Sequence, residues 1–323
     1  MYELDLIWGW QPALYLFLGG LGAGTFLIAA ILLLKGGAKY RRLVSAASFA
    51  AFACVAVGLL LLLAELIKPM QGLLVWQSFS HFTSWMTYGA WIAMGAMLCF
   101  AVTGVLCAPW FGKAKAAKAD GGSAADAPVP GAAKVFAIIG ALFSLALAFY
   151  TGMLLMCAEG VAFWHTGLLP ALFTISAIDT GIALVELIAL GMEKRCPLSA
   201  NAETALRTGV ICLVALEAVV LGIFLASALT GTGSFGSYAA TAAASAAVVV
   251  GGSMAPWFWA GVVACGLACP LVMALALLRK HGANPACAAF GPVCALIGGC
   301  ILRFVVLFAG IHVDLVGAAV TLL

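Results

Sequence analysis

Long apolar stretches dominate the chain, and short polar or glycine- and proline-rich connections separate them. A helix that crosses a bilayer core of about 30 Å needs roughly 20 apolar residues. Eight stretches reach that length, and they predict transmembrane helices at about 12–34, 43–66, 85–107, 133–156, 168–192, 207–230, 255–278 and 290–311. The stretches are continuous, which favours helices over a barrel of alternating strands. We therefore predict one all-α integral membrane domain over residues 1–323, with two halves that are each like a four-helix bundle.

Composition excludes a soluble protein. Hydrophobic residues make up 65% of the chain and charged residues 8%, whereas a soluble domain carries roughly 25% charged residues. Glu3 and Asp5 precede the first apolar stretch in place of a basic segment, and no small-residue cleavage site follows it. The first stretch is therefore expected to remain in the mature chain as a helix.

Basic residues predict the orientation, because Lys and Arg collect in the short cytoplasmic connections of membrane proteins. Thirteen of the fifteen lie after the first, third, fifth and seventh spans: Lys35, Lys39, Arg41, Arg42, Lys113, Lys115, Lys118, Lys134, Lys194, Arg195, Arg207, Arg279 and Lys280. Both termini are therefore predicted to face outside. The segment 109–133 is predicted to be a cytoplasmic linker, and the net charge of +3 reflects topology and not nucleic acid binding.

Two features distinguish the predicted outer face. The segment 231–253 carries no charge, and its Ala-rich part is too short to span, so we interpret it as an external loop, with a short surface helix as a variant. Eight of the nine tryptophans map near outer helix ends: Trp8, Trp10, Trp76, Trp85, Trp91, Trp164, Trp257 and Trp259. Two interpretations stay open, a lopsided aromatic belt and a surface on which another protein docks.

Ionisable residues within predicted spans are costly to insert and are functional candidates by default. Asp179 and Glu186 lie seven residues apart on one face of the fifth span. Together with Glu217 they form a candidate proton path, and Arg303 of the last span is a candidate partner for one of the three. The alternative is that each carboxyl is protonated and hydrogen-bonded to a neighbouring helix.

A second polar group is expected near the outer ends of the first four spans. Its members are Gln11, Tyr15, Glu65, Tyr150 and Thr151. Hydroxyls and a carboxylate at one depth suit a quinol, because quinol oxidation releases two protons that need acceptors. The alternatives are that the tyrosines anchor the helices at the interface and that Glu65 pairs with Lys68.

Histidine and cysteine argue against a metal or haem in this chain. The four histidines, His81, His165, His281 and His312, map to loops or helix ends, whereas transmembrane haem needs histidine pairs inside helices. No cysteine pair has CxxC spacing, and most of the eleven fall inside helices, where a thiol packs as a small hydrophobe. Electrons would therefore have to leave through another subunit.

Four passages resemble the NrfD/PsrC family, the membrane subunit of polysulfide reductase and related complex iron-sulfur molybdoenzymes. The first helix contains WGWQPALYLFLGGLGAGTF, and the end of the second helix and the start of the third fall in LLLAELIKPMQGLLVWQ and SWMTYGAWI. The fourth-to-fifth passage reads FYTGMLLMCAEGVAFWHTGLLPALFTISAIDTGIAL, and the last helix reads GGCILRFVVLFAG. Order and spacing make this resemblance specific, since no passage is a short catalytic signature.

The resemblance implies a quinone pocket near the outer face and a place in a bacterial or archaeal cytoplasmic membrane. Tyr15 stands where some members have histidine, while Glu65 and Tyr150 match an acidic residue and a tyrosine of the family. A phenol is a poor base at neutral pH, so Tyr15 would orient a quinone oxygen and Glu65 or His81 would accept a proton. The implied cofactor is menaquinone or ubiquinone, without haem. The implied partners are an iron-sulfur subunit on the outer face and a molybdopterin subunit beyond it.

Two other functions compete with a quinone-reactive anchor. A proton-coupled transporter would show corresponding Gly- or Pro-broken helices in its two halves; the glycine run from Gly19 to Gly24 is one candidate break, but the fifth span has no match. A purely structural anchor would tolerate substitution of Glu65 or Tyr150 without loss of electron transfer.

Overall fold

A computed structural model describes residues 9–65, 85–111, 128–158, 160–193, 196–232, 239–279 and 285–311, and every regular element in these ranges is helical. The elements are α1 (Trp10–Gly36), α2 (Arg41–Glu65), α3 (Trp85–Cys107), α4 (Gly131–Met156), α5 (Leu168–Gly191), α6 (Ala200–Thr230), α7 (Ala239–Val250), α8 (Trp257–Arg279) and α9 (Pro285–Phe308). Short 3₁₀ turns cover Gly37–Tyr40 and Ala162–Trp164. The first part of α8, Trp257–Ala268, is a π-helix.

Eight helices are long enough to cross a membrane. By hydropathy α1 and α2 form one apolar run of 55 residues, Trp10–Ala64, which gives seven apolar units. A straight helix of that length would extend about 80 Å, far beyond a bilayer core. The 3₁₀ turn after α1 instead reverses the chain, with Gly37 at a φ of 57° that favours glycine, and α2 packs back along α1. The eight crossings of the described chain confirm the predicted all-α membrane fold.

The spanning helices form two rings of four, in agreement with the predicted halves. In the first ring α1, α2, α3 and α4 each contact their neighbours in the chain, and α4 closes on α1. In the second ring α5, α6, α8 and α9 do the same, and α9 closes on α5. The rings meet where α5 packs against α1 and α4, so α1 and α5 form the centre of the molecule.

Small residues bring α1 and α5 into close approach. A Cβ added at Gly24 would overlap the carbonyl oxygen of Ala177, and one added at Gly181 would overlap the backbone of Gly24. Gly20 faces Ala177 one turn away, at 3.3 Å from an added Cβ to the alanine Cβ. Small residues at a spacing of four allow helix backbones to touch in membranes. The glycines of α1 therefore serve packing, and α1 is continuous through them.

Hydrogen bonds join the two rings at one end, which we call the basic end because Lys39, Arg41, Arg207 and Arg279 lie there. The Tyr40 hydroxyl lies 2.6 Å from the Ser199 hydroxyl and accepts a hydrogen bond from the Ser199 amide. Positive-inside statistics predict that this end is cytoplasmic. Most of the predicted linker 109–133 lies outside the described residues.

A buried arginine anchors α3 at the basic end. Arg41 is fully enclosed, and its guanidinium donates to the carbonyl oxygens of Leu106 at 2.8 Å and Cys107 at 3.2 Å. These are the last carbonyls of α3, which have no partner within the helix. Arg41 therefore satisfies the α3 terminus and stabilises the contact between α2 and α3.

Apolar aromatic residues close the second ring at its opposite end, which we call the aromatic end. Phe163 and Trp164 are buried there, Phe163 packs against Phe224 at 4.9 Å between ring centroids, and Trp164 donates to the Val306 carbonyl at 2.9 Å. The segment predicted as an external loop contains α7, whose Ser245 accepts a hydrogen bond from the Ile311 amide at 3.1 Å. The twelve residues of α7 thus cover this end of the ring.

Candidate functional site

Tyr15 and Thr151 meet in the first ring across Gly19. A Cβ at Gly19 would lie 3.6 Å from the Thr151 methyl carbon and 4.0 Å from the Tyr15 ring. Both side chains are buried. The Tyr15 ring also faces Gly58 of α2, at 3.3 Å from an added Cβ. Because glycine leaves room on α1 and α2, the phenol lies between α1, α2 and α4.

Tyr150 occupies the adjoining space between α4 and α3. Its ring and hydroxyl lie directly against Gly89, where an added Cβ would overlap the phenol. Tyr150 is buried, and its hydroxyl interacts electrostatically with that of Tyr15. The structure therefore brings together two phenols that the sequence separates by 135 residues.

The other predicted members of this group differ in position. The Thr151 hydroxyl donates to the Ala148 carbonyl at 2.7 Å, within its own helix. Gln11 lies one turn before Tyr15 on α1 and is half-buried. The Glu65 side chain and His81 fall outside the described residues. Two of the five predicted quinone-site residues, Tyr15 and Tyr150, thus place buried phenols within electrostatic range of each other.

A second polar cluster lies within the second ring. Asp179 of α5 interacts electrostatically with Glu217 of α6, and Glu217 interacts with Arg303 of α9. All three side chains are buried. Asp179 and Glu217 both line a gap of about 10 Å³, together with Thr180 of α5 and Gly266 of α8. The structure therefore joins three of the four residues predicted for a proton path.

Ser176 binds the guanidinium of this cluster. Arg303 Nη1 donates to the Ser176 hydroxyl at 2.6 Å, and Ser176 and Glu217 lie on the wall of the same gap. Arg303 Nη2 donates to the Phe173 carbonyl at 3.1 Å, and the guanidinium lies 4.6 Å from the Phe173 ring centroid. The positive charge of the guanidinium thus interacts electrostatically with the Glu217 carboxyl. Asp179 Oδ1 has no hydrogen-bond partner.

A cavity of about 200 Å³ extends from the basic end to Asp179. Glu186, the fourth predicted path residue, lines it between Asp179 and the opening. Glu203 and Arg207 line the opening and form an ion pair at 3.2 Å. Arg207 also donates to the Leu277 carbonyl of α8 at 3.2 Å, which fixes it at the rim.

Sequence reasoning missed Ser176 and Arg207 as parts of this cluster. Ser176 lies three residues before Asp179 on α5, a spacing that places both on one helix face. That signal was available in the sequence. The sequence uses Arg207 only to predict which side of the membrane is cytoplasmic, because nothing in the sequence shows that its side chain lies near Glu186.

Metal ligation has no evident place in the described part of the chain. Within it, no group of three or more His, Cys, Asp or Glu side chains is arranged to hold a metal ion. Cys265 of α8 and Cys294 of α9 are in contact, the Cys265 thiol lying 3.7 Å from the Cys294 carbonyl. These thiols pack at a helix interface.

Comparison with known proteins covers almost the entire sequence. The family model described as polysulphide reductase, NrfD, matches residues 2–314. The chain belongs to the NrfD family. Protein NrfD of Escherichia coli K12 is 29% identical over 323 aligned residues, which cover 95% of each protein. The C subunit of polysulfide reductase from Wolinella succinogenes is 29% identical over 315 residues, which cover 94% of each protein. The NrfD family assignment agrees with the multi-pass helical membrane fold.

Proposed function

We propose that this chain is the quinone-reactive membrane subunit of a respiratory oxidoreductase. Quinol binds in the first ring toward the aromatic end, and its two electrons pass to an iron-sulfur subunit docked there. The reverse reaction, quinone reduction, uses the same site. Membership of the NrfD family supports the general role, and the paired phenols of Tyr15 and Tyr150 carry the assignment of the site.

Buried hydroxyls in an apolar setting support this assignment. Each phenol can donate one hydrogen bond and accept others, and quinone carbonyls are acceptors. A phenol that donates to a quinone carbonyl contributes a net hydrogen bond of roughly 0.5–1.5 kcal/mol to binding. The small residues Gly19, Gly58 and Gly89 leave the space in which these rings lie.

Proton acceptance at this site is assigned to other groups. Quinol oxidation removes two protons with two electrons, and a phenol is a poor base near neutral pH. Glu65, at the end of α2, and His81, in the connection after it, are the proposed acceptors on sequence grounds. Tyr15 and Tyr150 orient the quinone oxygens, and Gln11 and Thr151 line the site.

Exposed tryptophans support docking at the aromatic end. Trp10, Trp85, Trp257 and Trp259 are each about half exposed there, and tryptophan is enriched both at membrane interfaces and at protein interfaces. One relative is named as the C subunit of a polysulfide reductase, so that protein is one subunit among several. We propose that an iron-sulfur subunit covers this face and links the chain to a molybdopterin subunit.

A secondary transporter fits the helices less well. Transporters of that class carry discontinuous helices in corresponding positions of their two halves. Here α1 runs unbroken over Trp10–Gly36 and α5 over Leu168–Gly191. The two central helices thus lack the breaks that a midplane substrate site would use.

Quinol-dependent reduction of the partner iron-sulfur subunit tests the proposal. Native membranes are compared with the variants Glu65→Gln and Tyr150→Phe at matched assembly levels. Loss of a general base lowers rates by about 100-fold or more, and loss of one hydrogen bond of about 1.4 kcal/mol lowers them about tenfold.

Tyr88→Phe is the matched control, because Tyr88 is an exposed tyrosine next to Gly89 on α3. It should leave the rate unchanged. Equal rates in all four proteins would remove the site assignment. Failure of the native complex to use quinol would overturn the function itself.

A further inference from the structure

The cavity of the second ring is open at one end and closed at the other. Its opening lies at the basic end, beside Glu193, Glu203 and Arg207. At the aromatic end the same ring is filled by Phe163, Trp164 and Phe224, with α7 packed over them. Within the described residues, the route for water through this cavity therefore leads in from the basic end.

Water fits this cavity. Its volume of about 200 Å³ is several times the roughly 30 Å³ that a water molecule occupies in the liquid. The carboxyls of Glu186 and Asp179 and the ion pair at the rim supply polar partners along its length. Polar cavities of this size hold water, whereas apolar ones stay dry.

Asp179 marks the inner end of the cavity. Its side chain is 3% exposed, and Oδ1 faces no hydrogen-bond donor. An unpaired carboxylate in so buried a place is strongly disfavoured, and the group takes up a proton instead. Asp179 is one of the residues that line the cavity, so the proton that neutralises its carboxyl arrives through that space.

Charge balance distinguishes the two carboxyls. Arg303 interacts electrostatically with Glu217, whereas the charged groups that act most on Asp179 are the carboxyls of Glu217 and Glu186. The other charged groups that face this region are Glu186 on α5 and Glu203 and Arg207 on α6. From α8 only the apolar Val262, Gly266 and Leu267 face the carboxyl pair. One guanidinium therefore stabilises one carboxylate, and the second carboxyl carries an exchangeable proton.

We propose that the second ring is a blind proton channel, which takes protons from the basic face and holds them at the Asp179–Glu217 pair. Arg303 forms its far end, because a fixed positive charge repels a hydrated proton. Each uptake step transfers one proton from cavity water to a carboxylate and leaves hydroxide to be neutralised by the bulk solution. The inference does not rest on the quinone site.

Labelling with dicyclohexylcarbodiimide tests the channel, because this apolar reagent adds only to protonated carboxyls. The complex is labelled in sealed membranes of both orientations, and the modified residue is identified by mass spectrometry. We expect label on Asp179, at a yield that falls when the pH of the basic face is raised. Raising the pH of the aromatic face should leave the yield unchanged.

Two variants test the charge balance. In Glu217→Gln, Arg303 is free to stabilise an ionised Asp179, so labelling of Asp179 should be lost although the residue is intact. Asp126→Asn, in the connection between α3 and α4, should label as the native protein does. Label that follows the pH of the aromatic face, or an Asp179 that stays unlabelled or keeps its label in Glu217→Gln, would overturn the proposal. Quinol oxidation is not measured, so failure here leaves the quinone site untouched.

Discussion

Arg303 shows how much one buried side chain can determine. Its guanidinium donates to the Ser176 hydroxyl and the Phe173 carbonyl of α5, and to the Gly299 carbonyl of its own helix, α9. It also holds the only compensating charge close to Glu217 within the described part of the second ring. The same side chain thus links α5, α6 and α9.

Removal of this guanidinium should destabilise the protein. In Arg303→Met the Glu217 carboxylate loses its compensating charge and two acceptors on α5 lose their donor, and a buried charge left uncompensated costs about 3–5 kcal/mol. The double variant Arg303→Met with Glu217→Gln should recover much of that loss, because no charge is then left uncompensated. Thermal unfolding of the purified protein measures both.

Arg279→Met is the control for the removal of a positive charge, because Arg279 is an exposed residue at the end of α8. It should unfold as the native protein does. If the double variant were as unstable as the single one, compensation of the Glu217 charge would not be the source of the stability.

The helices could be predicted from the sequence because the backbone of a long apolar span in lipid must form its hydrogen bonds within the span itself. A span must satisfy its amide and carbonyl groups internally, so apolar length alone predicts the eight crossings. Close approach of α1 and α5 could not be predicted, since a glycine run is equally consistent with a break. Only the positions of Ala177 and Gly181 on the partner helix decide between the two.

Cβ atoms at the crossing of α1 and α5 should not be tolerated. Gly24→Ala and Gly181→Ala each place a methyl group inside a neighbouring backbone, and overpacking of this kind costs about 1–3 kcal/mol or more. We expect lower thermal stability and less assembled protein in membranes.

Gly222→Ala serves as the comparison, because Gly222 is an exposed position on α6 with nothing within 4 Å of an added Cβ. It should be neutral, or stabilising by up to about 1 kcal/mol, since alanine favours a helix over glycine. Equal effects at Gly24 and Gly222 would show that helix propensity, and not close packing, determines the result.

The candidate sites were predictable by residue but not by arrangement. The free-energy cost of placing ionisable residues inside a membrane indicated Asp179, Glu186, Glu217 and Arg303 as functional candidates. The structure brings their side chains into one ring. The cavity that connects them to one face depends on how α5, α6, α8 and α9 close together. No periodicity in a uniformly apolar helix reveals which neighbour it will meet.

Orientation belongs to the whole molecule and is a prediction from charge. A reporter that is active only in the cytoplasm should work when inserted within residues 112–127, and it should be inactive when fused to the C-terminus. A reporter active only outside should give the opposite pattern. Activity of the cytoplasmic reporter at the C-terminus would reverse the topology and with it the sides assigned to both sites.

Each ring contains an even number of crossings, so both begin on the same side of the membrane. The central helices α1 and α5 therefore run parallel across the membrane where the two rings meet. Gly24 faces Gly181 and Gly20 faces Ala177. Each residue of α1 thus meets the residue at the corresponding position of α5 in the other ring. That self-matching is the mark of a two-fold interface between identical subunits. A four-helix protein that dimerised through this contact, and whose gene was then duplicated and fused, would have this architecture.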